Sequence, residues 1–337
     1  MGDVGVIVNP WAGKDVRRLH AQTGHTADSA KVGVVHRVAA GALAAGAARV
    51  LVARDAGRIA ERAASGLEGV SIVDGPGTGS SLDTRVAAAQ LRDAGCDLIV
   101  VLGGDGTCRD AVLGWPELAM IPISTGTNNV FPSIIDATSA GTAAGLVASG
   151  AIAVGAVRRR AKVLDVDVWH GDASTHTIAL VDVALIDAAD VGARAVVTAS
   201  SVRAVVAAIA SPASTGLSCI AGRVHPVGRD DDGAVAVWLG SGDREVRVPL
   251  MPGRFDIVSV ARVDEVTEGT AVHLDGPGVL AFDGERDLVL GQWATAAITV
   301  RRAGPWIIDV ESTLRCAAAL RLFDLEPATD VEAHRAH

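Results

Sequence analysis

The segment VVLGGDGTCRDAV, residues 100–112, carries an apolar run into Gly103-Gly104-Asp105-Gly106-Thr107 and then into residues that suit a helix. Glycines let the backbone come close to a ligand, and N–H groups at a helix start attract phosphate. Asp105 is at odds with a bare anion cradle, because its charge would repel phosphate. Two roles reconcile it with such a loop: holding a divalent cation, or accepting a proton from a hydroxyl. The same five residues would equally make an ordinary type II or I′ turn with Asp105 as a turn residue.

Two other loops have compatible chemistry. ISTGTNNVFP, residues 123–132, offers Thr125, Gly126, Thr127, Asn128 and Asn129, whose hydroxyls and amides suit phosphate oxygens or a ribose. A polar loop with an Asn helix cap would look the same. NPWAGK, from Asn9 to Lys14, matches neither GxGxxG nor a P-loop and is weak alone. Three such loops after three apolar runs weigh more, because a parallel sheet gathers the C-terminal ends of its strands along one edge. His20, His25, His36, His170, His176, His225 and His273 lack metal-ligand spacing and read as surface or isolated core residues. The six tryptophans read as core, except Trp11, which sits inside a candidate site loop.

The elements that would position these loops follow from hydrophobic periodicity. Val4–Val8, Arg49–Ala53, Val70–Gly75, Asp97–Gly104 and Met120–Thr125 are short apolar runs bounded by turn residues, as buried parallel strands are. Asp55–Ser65 and Ser80–Ala94 between them have helical spacing, with Ser81 as the expected N-cap of the second. This alternation predicts an α/β domain with a parallel sheet over residues 1–145. An Ala/Gly-rich helical stretch then ends in RRRAK, residues 158–162, which reads as a solvated hinge face. Residues 146–325 predict a β-rich substrate domain: a hairpin turning at Gly171-Asp172, a helical interlude over 193–210, and a run of short strands to about residue 305. A helix over 310–322 is expected to pack back on the body, and 326–337 to be a frayed tail.

Composition narrows the function classes. The 337 residues are 49% hydrophobic and only 20% charged, too apolar for disorder. A net charge of −9, with lysine only at positions 14, 31 and 162, argues against a nucleic-acid partner. No apolar stretch approaches the roughly 20 residues of a spanning helix, and no leader pattern is read at the start. Cys96, Cys108, Cys219 and Cys316 lie far apart, as reduced thiols of a cytoplasmic protein would. The expectation is a cytoplasmic protein with a small-molecule substrate and no membrane partner.

NPxxGK, GGDGT and GTNN together resemble the NAD kinase and diacylglycerol kinase superfamily. GGDGT followed by Cys108-Arg109-Asp110, then STGTNNVFP, is most similar to its acetoin-catabolism protein X branch. The likeness continues in ALVDVALI (179–186), in SPASTGLSCIAGRVHP (211–226) and in FDGE (282–285), the last similar to the lipid-kinase branch. It implies an active site between the two domains, a homo-oligomer, and ATP-dependent phosphoryl transfer to a hydroxyl with Mg²⁺. Carried over, Asn9, Gly13, Lys14, Gly103, Gly104, Gly106, Thr107, Thr125, Gly126, Thr127 and Asn128 would hold the nucleotide. Asp105 and Glu285 would be catalytic, with Asp105 also a candidate Mg²⁺ ligand. Asn129, Asp182, Ser214 and Thr215 would face the acceptor. Lys14 and Arg109 are local cations that could neutralise phosphate or pair with an Asp.

Departures from the pattern bear on the acceptor. Val181 stands where NAD kinases have an Asn before the acid, and it can neither donate nor accept a hydrogen bond. Leu217 stands where they have a Tyr, and the chain contains no Tyr. Both changes argue against NAD as the acceptor, while leaving the kinase scaffold intact. The competing reading for Glu285 is a solvated residue after an Asp283-Gly284 hairpin turn.

Overall fold

The computed structural model describes residues 2–14, 27–125, 129–171, 173–192, 196 and 198–324. Its first half alternates strands and helices as the periodicity predicts. β1 (Asp3–Val8), β2 (Arg49–Ala53), β3 (Val70–Val73), β4 (Cys96–Gly103) and β5 (Ala119–Ser124) pair in parallel in the order β3-β2-β1-β4-β5. Val4, Val6, Leu98 and Val100 face one helix layer while Ile7, Ile99 and Val101 face the other, so both strand faces are apolar. β1 pairs with β2 on one side and β4 on the other, which makes the β1/β4 boundary the point where strand order reverses. In open α/β sheets that is where a ligand crevice forms.

The helices cover both faces. α1 (Asp28–Ala44), which the periodicity did not single out, packs on α5 (Ala137–Ala148). α3 (Ser81–Asp93) packs on α4 (Asp105–Gly114) on the other side, and α2 (Ile59–Ala64) is the short helix expected within 55–65. The cap of α3 is Ser80 rather than Ser81: its hydroxyl accepts from the Leu82 amide at 3.3 Å. α1 and α5 approach so closely that a Cβ at Gly141 would stand 2.2 Å from the Val38 carbonyl oxygen.

The second half is built from antiparallel sheets. A six-stranded sheet contains β9 (Asp182–Ile186), β10 (Val202–Ala207), β11 (Ala234–Met251), β12 (Arg254–Val266), β14 (Gly278–Phe282) and β15 (Glu285–Leu290). A four-stranded sheet contains β7 (Val163–His170), β8 (Ala173–Ala179), β13 (Ala271–Asp275) and β16 (Thr295–Arg301). The two share a core of Leu164, Val166, Leu185, Val206, Phe282 and Ile298. The expected hairpin is β7–β8, with Asp172 of its turn outside the described residues.

Two expectations are corrected. The helical interlude over 193–210 is, where described, a 3₁₀ turn at Ala199–Ser201 followed by strand β10. β10 buries Ala204 and Val206 in the sandwich core and Val205 and Ala207 against α7 (Leu217–Val224), so its apolar run has no strand alternation to betray it. The RRRAK segment is an edge strand and not a hinge, although Arg158 and Arg159 are exposed as expected. After the short α6 (Val154–Val157), Arg158–Arg160 form β6, paired with β17 (Trp306–Ile308), and both extend the first sheet. Lys162 is buried and donates to the Gly228 and Gly233 carbonyls at 2.9 and 3.0 Å. The expected C-terminal helix is α8 (Val310–Ala319), packed on α5; the tail from residue 326 lies outside the described residues. Among the described residues no helix is long and apolar enough to cross a membrane.

The α1–α5 contact yields a stability prediction. Gly141→Ala has no room without backbone movement and should lower unfolding free energy by about 1–3 kcal/mol in urea denaturation. Gly155→Ala, where nothing lies within 4 Å of the added Cβ, should leave it within about 0.5 kcal/mol.

Candidate functional site

A cleft of about 510 Å³ opens at the β1/β4 switch point and is walled by both halves of the chain. Asn9 to Lys14 line it from the end of β1, Gly104 to Thr107 from the start of α4, and Asn129 and Val130 from the loop after β5. Asp182, Thr215 and Leu217, with Asp283 to Glu285, close it from the β-rich half.

Steric fit fixes the glycine loop. Gly104 is the N-cap of α4, so the orphan amides of the first helical turn open onto the cleft. A Cβ at Gly103 would lie 2.5 Å from Thr107 side-chain atoms, and one at Gly104 would lie 2.8 Å from Asn129 Oδ1. The loop thus needs glycine because its neighbours are pressed against it. Asn9 joins the first loop to it: its Nδ2 donates to Thr107 Oγ1 at 2.8 Å, and its Oδ1 accepts from the Trp11 amide at 2.8 Å.

Asp105 is buried at the head of α4. Its Oδ1 accepts from the amides of Val130 and Phe131 at 3.0 and 2.7 Å, and its Oδ2 from Val130 at 3.1 Å. Burial pushes its pKa up to about 7, with the charge of Asp283 adding to the shift and the amide bonds opposing it. Asp283 repeats the arrangement from the other half, accepting from the Leu180 and Val181 amides at 3.0 and 2.8 Å. Burial raises it to about 6, against the pull of Arg109 and those amides. The carbonyls of Val130 and Phe131 in turn accept from Arg229, at 2.6 Å for Phe131, so the Val130–Phe131 peptide links this cation to Asp105.

Asp283 and Gly284 do form the anticipated two-residue turn, both with positive φ, between paired Phe282 and Glu285. Glu285 nevertheless faces the cleft: its carboxyl atoms lie 3.9–4.0 Å from where a Gly106 Cβ would be. The two acids offered by the sequence therefore line one cavity, Asp105 at the head of α4 and Glu285 from the β-rich half with its carboxyl against Gly106. Asp110, also on the cleft, accepts from Arg85 at 2.9 Å.

Other candidates divide. Lys14 lines the cleft and pairs with Asp28 at 2.6 Å. Arg109 is a structural partner: it donates to Thr177 and Asp287 at 3.0 and 3.1 Å and stacks on Phe282. Thr215 faces the cleft, whereas the Ser214 hydroxyl donates to the Ser211 carbonyl in its own loop. Thr125 is buried behind the glycine loop, its amide on the Gly103 carbonyl at 3.1 Å. Asn129 holds Ser124 Oγ at 2.7 Å. Gly126, Thr127 and Asn128 lie outside the described residues. Val181 turns into the core and Asp182 into the cleft. Among the described residues no three His, Cys, Asp or Glu side chains converge as a metal cage, and both oxygens of Asp105 already hold amides.

Sequence reasoning missed Lys31, Asp283 and Arg229 as contributors to the site. Lys31, on the first turn of α1, is fully buried and donates to the carbonyls of Asn9, Pro10 and Ala12 at 3.1, 2.8 and 2.8 Å. Burial lowers its pKa to about 8, helped by Lys14. Its only signal is a lysine amid Ala30, Val32 and Val35. Arg229 has no local signal, because its partners are 98 and 99 residues away in the chain.

Two outcomes follow from this geometry. Lys31→Met strands three carbonyls and should cost about 1–3 kcal/mol in urea denaturation, more than Lys14→Met at the partly exposed pair. Asp105 and Asp283 keep their protons more tightly folded than unfolded, so their contribution to stability is greatest near pH 4 and declines as pH rises to about 7. Asp105→Asn should flatten the fall of Tm between pH 5 and pH 8; an unchanged slope would place that titration elsewhere.

Comparison with known proteins agrees with this architecture. Residues 4–152 match the family model of the ATP-NAD kinase N-terminal domain, and residues 162–303 that of the acetoin catabolism protein X C-terminal domain. Acetoin catabolism protein X of Cupriavidus necator is 34% identical over 329 residues, covering 93% of this chain and 92% of that one. The crystal structure of yeast NADH kinase complexed with NADH is similar in fold, with a TM-score of 0.54 at 15% identity over 98% of this chain and 90% of that one. A diacylglycerol kinase from Bacillus anthracis str. Sterne superposes at a TM-score of 0.42 and 15% identity, over 91% of this chain and 97% of that one. A kinase-like scaffold is thus in place, and the chain belongs to the acetoin catabolism protein X family.

Proposed function

We propose that the cleft transfers the terminal phosphoryl group of ATP to a hydroxyl of a small metabolite. The observation that carries this reading is the meeting, in one cavity, of a glycine-cradled helix N-terminus with two carboxylates from segments 180 residues apart, Asp105 and Glu285. Phosphoryl transfer needs positioning and charge neutralisation more than covalent chemistry. The first-turn amides of α4 and the Asn9–Thr107 bridge hold the phosphates. Asp105, with its pKa near neutrality, takes the hydroxyl proton on Oδ2, which carries only the Val130 amide. Glu285, seated against Gly106, orients that hydroxyl from the β-rich half. The hydroxyl oxygen bonds to the γ-phosphorus as the bond to the β–γ bridging oxygen breaks, releasing ADP. Mg²⁺ carried on the nucleotide would neutralise charge on the phosphate oxygens, and Glu285, not the amide-bound Asp105, is the carboxylate that would add an oxygen to it.

The acceptor reading is a metabolite other than NAD. Leu217 lines the cleft where a stacking aromatic would serve NAD, and Val181 offers no polar group to it. The relative's name connects it with acetoin catabolism, and acetoin carries a secondary hydroxyl; hydroxyketones therefore lead the candidates. Four free cysteines and dependence on ATP suit a cytoplasmic setting, and a homo-oligomer remains part of the proposal.

The test is transfer from γ-labelled ATP with Mg²⁺ to hydroxyketones, polyols, nucleosides, NAD and diacylglycerol. Label should enter a small hydroxylated acceptor, and Asp105→Asn and Glu285→Gln should each lower kcat by about 10²-fold or more. Transfer surviving in the double variant would overturn the mechanism, and efficient NADP formation would overturn the acceptor reading. ADP binding with no acceptor labelled would mark a nucleotide-binding regulator instead.

A further inference from the structure

The cleft has two ends. Glu285, Asp182 and Thr215 of the β-rich half occupy one, while the other runs past the Asn9–Lys14 loop to Gly79, Ser81 and Thr84 at the start of α3. The second end is walled by the first half of the chain, and the phosphotransfer scheme above uses none of the residues at the start of α3. It contains Trp11, a cleft-lining indole that is 55% exposed in a chain whose aromatic content is only 3%.

Trp11 is held. Its backbone amide is bound by Asn9 Oδ1 at 2.8 Å, and Asn9 Nδ2 reaches Thr107 at 2.8 Å, so one side chain ties the backbone that carries the indole to the glycine loop. Lys31 fixes the carbonyls on either side of Trp11 from beneath. Gly79, in the left-handed region at φ 72°, brings the start of α3 to the indole edge: a Cβ there would lie 3.4 Å from Nε1. Lys14 Nζ lies over the ring at 5.6 Å from its centroid. An exposed aromatic ring on a backbone tied to the glycine loop offers a planar ligand a stacking partner at a fixed place beside that loop.

We propose that Trp11 is the platform for the purine base of the nucleoside triphosphate donor. A triphosphate over the α4 amides, with its base on Trp11, directs the terminal phosphate toward Glu285. The Ser81 and Thr84 hydroxyls stand on the wall nearest the sugar. Because stacking reads a flat ring and not its hydrogen-bonding edge, the site should accept GTP as well as ATP and bind pyrimidine nucleotides less tightly. This assignment rests on the donor reading above, and the test separates the two.

The affinities of ATP and inorganic tripolyphosphate, each with Mg²⁺, are measured by calorimetry on the wild-type protein, Trp11→Ala and Trp11→Phe. The expected result is a loss of ATP affinity in Trp11→Ala of roughly 5- to 150-fold, as for a stacked base worth about 1–3 kcal/mol. Tripolyphosphate affinity should not change, and Trp11→Phe should recover most of the ATP affinity. Unchanged ATP affinity in Trp11→Ala overturns the platform while leaving phosphate binding standing. An equal loss for ATP and tripolyphosphate overturns it too, since the indole would then only support the loop. A wild-type protein that binds neither overturns the donor reading and the platform with it.

Discussion

The site depends on a carboxylate buried where it could not stay charged without help. Asp105 sits at the head of α4 with two main-chain amides on its oxygens, and one of the peptides supplying them, Val130–Phe131, accepts from Arg229 on its other side. That line of contacts joins the glycine loop, the loop after β5 and the β-rich half. Asp283 does the same from across the cleft, binding the amides that precede β9. Each half of the molecule thus uses one buried aspartate to shape its own wall, and burial moves both toward neutrality, with the charge of Asp283 adding to the shift of Asp105. A group needed to hold loops in place becomes, by the same burial, one able to take a proton near neutral pH.

The surrounding loop chemistry is subordinate to that pair. Lys31 supplies the complementary device: an ammonium enclosed by three carbonyls draws the oxygens of the Asn9–Ala12 loop to one side. Asn9 then couples the loop to Thr107, and Gly103 and Gly104 are compelled by the closeness of Thr107 and Asn129. Glycine in this motif answers a packing demand as much as a ligand's demand for backbone.

Much of this was legible in the residues themselves. The parallel sheet followed from apolar runs broken by turn residues, and the convergence of three loops followed from the sheet. The antiparallel half was legible where one strand face meets water, and illegible at β10, where core lies on both sides and the period disappears. α1 was overlooked because small residues on both its faces blur the helical stripe, while its glycine contact with α5 depends on a partner a hundred residues away. Asp283 was read as a turn residue, which it is; its burial on the Leu180 and Val181 amides is a tertiary fact with no local trace. The bond from Arg229 to residues 130 and 131 is of the same kind.

The chemistry of the cleft depends on where the triphosphate lies. A crystal structure with a non-hydrolysable ATP analogue and Mg²⁺ would show it directly. The predicted result is phosphates against the amides of Gly104–Thr107, with the terminal phosphate facing Glu285. Phosphates seated elsewhere, or a cleft left empty at saturating analogue, would contradict it.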